Sequence, residues 1–207
     1  FCLSRGLGDV YKRQGYDKAF AAYPKADAAK AKQLLAEAGY PNGFTITLNT
    51  PNDRYVNDEA IATAVAGFLG RIGIKTEVSA RPIAMHSVSL TKADSDFYLY
   101  GWGVPTYDSA YIFDFLVHTR GKDSRGAQNA THYSNADVDA KILSLSSESD
   151  KAKRDATIKS IWETVQKERF YIALHDQVIH FASVSRINVP VHPDNALHFK
   201  FVKFEKK

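Results

Sequence analysis

Cysteine is almost missing from this chain: the single one among 207 residues is Cys2. That excludes a disulfide framework and catalytic thiol chemistry, and it fits an extracytoplasmic protein that keeps no thiols. No apolar run approaches the ~20 residues that a membrane-spanning helix needs. The seven histidines carry no metal-ligand spacing. His175 and His180 lie five apart in an expected strand and so on opposite faces, His118 and His132 flank a loop, and there is no H-x-x-x-H or C-x-x-C pair. Haem or nickel capture therefore has no ligand set, and no cofactor is expected. Also missing are a G-x-S-x-G elbow, a P-loop and a G-x-G-x-x-G turn after a strand. The acidic pair Asp137 and Asp139 is spaced i,i+2 at a helix start and diverges, which excludes a carboxylate dyad there. Lysine and arginine are scattered rather than gathered on one helix face, so the pI near 9.0 does not point to nucleic acid. There is no repeat, heptad array or low-complexity tract.

What is present begins with a stretch unlike the rest. Ser4–Gln14, SRGLGDVYKRQ, reads as the translation of a transposase-type sequencing adapter running into its mosaic end. Residues 1–14 are accordingly expected to be non-native, as a fusion scar would be, and the chain to be a C-terminal fragment. Without Arg5, Asp9, Lys12 and Arg13 the formal charge falls from +4 to +2. The remaining residues, with 44% hydrophobic composition overall, suffice for one α/β lobe with a real core.

Helices and strands then alternate. Asp27 can cap a helix over 28–38 with Ala31, Leu34, Leu35 and Ala38 as its apolar stripe, ended by Gly39 and Pro41. A strand follows over 44–50. Asn57 can cap a second helix, with Asp58 and Glu59 in its positive first turn and Ile61, Ala64, Val65, Phe68, Leu69 and Ile72 at helical spacing. A strand over 74–80 and a weaker helix over 84–93 come next. The polar stretch 119–134 reads as a surface loop. Asn135 and Asp150 can open two more helices, the second burying Ile158, Ile161, Trp162 and Val165. Residues 171–182 read as extended, and 187–204 as short strands around Pro190 and Pro193. The pattern is that of an α/β layer.

The stretch FYLYGWGVPTYDSAYIF, residues 97–113, organises the rest. As a strand, 97–101 puts Phe97 and Leu99 on one face and Tyr98 and Tyr100 on the other, the latter face extended by Trp102. Gly101, Gly103 and Pro105 break the strand, and Asp108 stands where a helix can start at Ser109, with Ile112, Phe115 and Leu116 as its buried stripe. Trp102 suits a ligand-cleft wall or a core ring. Asp108 suits a helix N-cap or a counter-ion to a cationic ligand group. Arg54 and Tyr55, in PNDRYVND, lie between a strand end and a helix start, where α/β sites commonly form. Arg54 there suits a bidentate carboxylate clamp or a surface pair with Asp53 or Asp58. Thr106 and Tyr107 can add hydrogen bonds.

This layout resembles the signature loop of the family 5 solute-binding proteins of ABC importers, which include oligopeptide, dipeptide and nickel receptors. DAAKAKQLLAEAGYPNGFTITL and IGIKTEV, in that order, are similar to the family's entry into its second lobe. The resemblance implies an α/β C-terminal lobe of the type II periplasmic-binding-protein-like fold, a mixed sheet flanked by helices, with the first lobe mostly missing. It implies a second ligand-binding lobe over 15–176 and a segment over 177–207 that returns to the first lobe, leaving Phe199, Phe201 and Phe204 uncovered. It also implies ligand contact through Trp102, Tyr100, Tyr107, Thr106, Asp108, Arg54 and Tyr55, with no catalytic residue. A monomer is implied, acting outside the cytoplasmic membrane of a bacterium, that holds a peptide-like or other small polar solute and hands it to membrane permease subunits. Receptors of the family that grip a peptide amino terminus carry an aspartate just after the tryptophan; Val104 lies in that stretch here, with no acidic residue, which argues against that mode. The rival expectation is a small hydrolase domain with its site in the 101–111 loop, using Asp108 and a histidine such as His132.

Overall fold

The computed structural model describes residues 2–5, 25–92, 95–106, 108–175, 177, 183–190 and 198–204. Five strands form one sheet in the order β3-β2-β4-β1-β5: β1 (Cys2–Arg5), β2 (Thr45–Pro51), β3 (Lys75–Arg81), β4 (Phe97–Gly101) and β5 (Tyr171–Ala173). Every pairing in it is parallel, so each connection must cross over the sheet and bring helices to its faces. A separate antiparallel ribbon joins β6 (Ile187–Asn188) to β7 (Lys203–Phe204).

Alternation along β4 sorts the core into two clusters. Phe97 and Leu99 join Leu48 of β2 and Ala62 of helix α2 (Asp58–Gly70) on one face. Tyr98 faces the other way, into a larger cluster with Ile112, Phe113, Leu116, Ile158, Ile161 and Trp162. Those residues come from α4 (Ser109–Ile112), the π turn Phe113–Val117 that continues it, and α6 (Lys151–Glu168). Helix α5 (Ala136–Ser144) adds Val138 and Ile142, and α3 (Ile83–Lys92) adds Leu90. The expected stripe of α6 is buried in full, and Trp162, 1% exposed, would cost about 3–5 kcal/mol to truncate to alanine.

Three local expectations change. Helix α1 (Ala28–Glu37) forms with Asp27 as its cap, the carboxylate accepting from Lys30 N–H at 2.9 Å, but none of its residues is buried; Leu34 is 51% exposed. Asn57 does not cap α2: it is left-handed, φ 60°, with no side-chain cap bond. Asp58, the first helical residue, is buried instead and turns its carboxylate back on the preceding loop. The 119–134 stretch is not merely superficial, since Asn129 and Ala130 are buried. Asn129 Nδ2 donates to the carbonyls of His118 and Tyr133 at 3.0 and 2.9 Å. Gly126, at φ 62°, would place a Cβ 2.5 Å from His118 O, a position only glycine fills without strain.

Residues 2–5, from the segment expected to be non-native, pair with Tyr98–Gly101 on one side and Tyr171–Ala173 on the other. The slot between β4 and β5 is filled by backbone hydrogen bonding, which asks little of side-chain identity.

Candidate functional site

Strands β2 and β4 are neighbours in a parallel sheet, so their carboxyl ends open on the same edge. Crevices beyond those ends are where open α/β sheets bind ligands. Beyond Pro51 the chain runs into Arg54 and Tyr55; beyond Gly101 it runs into Trp102. These two exits, with Ser87 of α3 and Tyr111 of α4, line a hollow of about 330 Å³. That is near the lower end of the range for small-molecule sites.

The first exit is held by Asp58. Its Oδ2 accepts from the N–H groups of Arg54 and Tyr55 at 3.1 and 3.0 Å, and its Oδ1 from Glu59 N–H at 3.0 Å. Asp53 Oδ1 accepts from Ile83 N–H at 2.7 Å and fastens the same loop to the start of α3. Both carboxylates that might have paired with the Arg54 side chain are thus engaged with backbone. The Arg54 guanidinium is exposed and lies 5.6 Å from the Tyr55 ring centroid. Tyr55 leans across to the second exit, its hydroxyl donating to Gly101 O at 3.2 Å. A Cβ on Gly101 would sit 2.6 Å from Tyr55 Cε1, so the absence of a side chain there allows the ring to close on the strand end.

The second exit is an aromatic wall. Trp102 is half-buried, with ring centroids of Tyr100, Tyr111 and Phe115 at 5.8, 5.9 and 5.7 Å. Tyr111 and Phe115 stand 4.9 Å apart. The Trp102 Nε1 atom is buried and has no hydrogen-bond partner among the described residues, so the indole lines the hollow with its ring rather than its N–H. Tyr100 is oriented by Gln128, whose Oε1 accepts from the phenol at 2.9 Å.

Of the residues expected to touch a ligand, Trp102, Tyr100, Arg54 and Tyr55 come together around the hollow. Asp108 does not line it. Its Oδ1 accepts from Ala110 N–H at 2.9 Å, making it the cap of α4, and its Oδ2 takes Arg154 Nη2 at 2.7 Å. With both oxygens so engaged it is not poised as a ligand counter-ion or as partner to His132. Thr106 is exposed, its hydroxyl accepting from Asp108 N–H at 3.3 Å. Tyr107 lies outside the described residues. Tyr111 and Ser87 were not expected in the site. The first was legible from helical phase, because Ile112 and Leu116 face the core and turn Tyr111 away from it.

Next to the hollow, His86 is buried between α3 and β4, with Nε2 3.0 Å from Leu99 O. Burial lowers its pKa below the ordinary 6.5, partly opposed by the Leu99 carbonyl, with nearby Arg81 lowering it further and Asp58 raising it. Among the described residues no group of three or more His, Cys, Asp or Glu could hold a metal ion.

The model of the bacterial extracellular solute-binding proteins, family 5 Middle, matches residues 10–124. Glutathione-binding protein GsiB of Pectobacterium atrosepticum is 25% identical over 181 residues, 84% of this chain and 35% of that protein. Heme-binding protein A of Haemophilus influenzae is 28% identical over 149 residues, 67% of this chain and 26% of that one. Among solved structures, the binding protein AgaA of A. tumefaciens R10, in complex with agropinic acid, superposes with a TM-score of 0.65 at 26% identity, covering 74% of this chain and 30% of its own. DppA of Helicobacter pylori, in complex with the peptide STSA, shares the fold with a TM-score of 0.68 at 23% identity, covering 77% and 30%. The chain thus spans about a third or less of these proteins' lengths.

Proposed function

The chain belongs to the bacterial extracellular solute-binding proteins of family 5, and from that premise we propose that it forms one jaw of the solute-binding component of an ABC importer. The hollow beyond β2 and β4 takes a small peptide-like or other polar solute, and the first lobe shuts over it by a hinge motion favoured by the ligand's contacts with both lobes. The closed, monomeric receptor then delivers its solute to permease subunits at the outer face of the cytoplasmic membrane. No covalent step is involved. In this reading residues 15–176 are the second ligand-binding lobe and 177–207 return toward the first lobe. Phe199, Phe201 and Phe204, which are 78%, 46% and 75% exposed, suit a segment built to be covered.

One observation carries the proposal: the two strand exits bring Arg54, Tyr55, Tyr100 and Trp102 around one hollow. The rings bury planar or apolar parts of a solute with little demand on geometry. Arg54 is the one formal charge in the lining among the described residues, which selects a solute bearing an anionic group, best a carboxylate. GsiB is named for glutathione, and AgaA was solved with agropinic acid; both ligands combine carboxylates with polar chains. Calorimetry on the complete receptor with a panel of dipeptides, glutathione and their carboxamide analogues tests this. Arg54→Gln should erase the preference for the free carboxylate, and Trp102→Ala should weaken all binders about tenfold or more. A preference that survives Arg54→Gln, or affinity untouched by Trp102→Ala, removes that residue from the site.

A further inference from the structure

We infer that Arg154, which does not line the hollow, is a positioning residue for its aromatic wall and acts through Asp108. The inference rests on the binding role proposed above only for its functional meaning; the geometry stands by itself. Helix α4 has four residues, too few to hold its own shape, and the π turn that follows is a wide, seldom-used geometry. Their placement is set by what anchors them. Tyr111 and Phe115, the two rings that flank Trp102, both ride on this segment.

The anchors come from α6, at two points. Arg154 Nη2 meets Asp108 Oδ2 at 2.7 Å, with side chains only 19% and 29% exposed, while its Nε donates to Leu145 O at 3.3 Å. Eight residues further along, Trp162 Nε1 donates to Ser109 Oγ at 3.3 Å, and its ring lies 4.8 Å from Phe113. Asp108 is the joint between the two systems, one oxygen on Arg154 and the other capping α4. A guanidinium held in two directions fixes the direction of approach as well as the charge, which a lysine ammonium does less well. Removing it leaves the start of α4 with its cap and the Trp162–Ser109 bond but without the tie at Asp108, and Tyr111 is three residues from that tie.

Trp102 and Trp162 are the only tryptophans in the chain, so the full chain labelled with 5-fluorotryptophan reports both ends of this linkage by fluorine NMR. Arg154→Met should shift or broaden the Trp102 resonance while Trp162, fixed in the core, stays in place. Arg154→Lys should return Trp102 most of the way, and Lys151→Ala, which breaks an exposed ion pair on the same helix, should move neither. Adding Asp108→Asn to Arg154→Met should produce no further shift. The inference is overturned if Trp102 is unmoved by Arg154→Met, or if both resonances move together as in a general loosening. Titration of the complete receptor, read at the same Trp102 resonance, with glutathione or a dipeptide is a separate arm. A Trp102 resonance that responds to Arg154→Met but to no solute counts against the binding role and for the positioning role.

Discussion

Replacing Gly101 by alanine should deform the hollow from its floor. The added Cβ would lie 2.6, 2.9 and 3.2 Å from Tyr55 Cε1, Cζ and Cδ1, all well inside ordinary contact, so the ring must withdraw by about 1 Å. The backbone of Tyr55 cannot follow easily, because Asp58 holds its N–H and that of Arg54; the ring swings instead and its bond to Gly101 O is lost. Loss of that bond costs about 1 kcal/mol, and the overpacking adds about 1–2 kcal/mol. For a chain of this size the sum lowers Tm by roughly 4–12 °C. Gly103→Ala is the control, since nothing lies within 4 Å of a Cβ there. Thermal unfolding of Gly101→Ala, Tyr55→Ala and the double variant separates the causes. With Tyr55 truncated, Gly101→Ala should cost little more. Equal cost in both backgrounds would refute the steric account and with it the claim that glycine is needed for Tyr55 to close on the strand.

Two further perturbations follow from the same geometry. Asparagine caps helices as well as aspartate, so Asp108→Asn isolates the Arg154 pair. It should lower stability by about 1–2 kcal/mol, a figure already discounted for partial exposure, and the loss should shrink in high salt; unchanged Tm at low salt would show that the pair contributes nothing. His86 gives a pH signature. Its Nε2 bonds Leu99 O and its Nδ1 is buried without a partner among the described residues, so a second proton meets no acceptor among them, and its folded pKa lies below 6.5. The unfolded chain therefore binds the proton first. The stability due to His86 is complete above pH 6.5 and is lost as pH falls through the lowered folded value. His86→Gln should flatten that part of the pH–Tm profile relative to the unsubstituted chain, and identical profiles would assign the acid response to other groups.

The scaffold was legible because periodicity and capping are local. The strand over 97–101, the caps Asp27, Asn135 and Asp150, and the buried stripe of α6 all follow from residues within a few positions of one another. The family and the α/β lobe followed from the order of such segments. Illegible were features decided by distant partners. Local competition was illegible too: Asp58 reaches back four and three positions to serve Arg54 and Tyr55, and the pattern does not rank it above Asn57. Nothing near residue 128 announces a bond to Tyr100, twenty-eight positions away. The apolar stripe of α1 was read correctly as a pattern, yet a pattern says only that a face can be covered, and here it is not.

Asp108 shows how this bears on function. From sequence, the carboxylate six residues after Trp102 is a helix cap first and a ligand counter-ion second, and in the structure an arginine forty-six residues later in the chain holds the oxygen that the cap leaves over. Once Arg154 takes that charge, the lining keeps a single formal charge among the described residues, the Arg54 cation, amid rings. Stacking on rings discriminates weakly between solutes, since any planar or apolar group gains from it. A guanidinium selects by charge and by the paired oxygens of a carboxylate. On the binding role proposed above, such a jaw would sort solutes first by the presence of an anionic group and leave finer choice to whatever faces it.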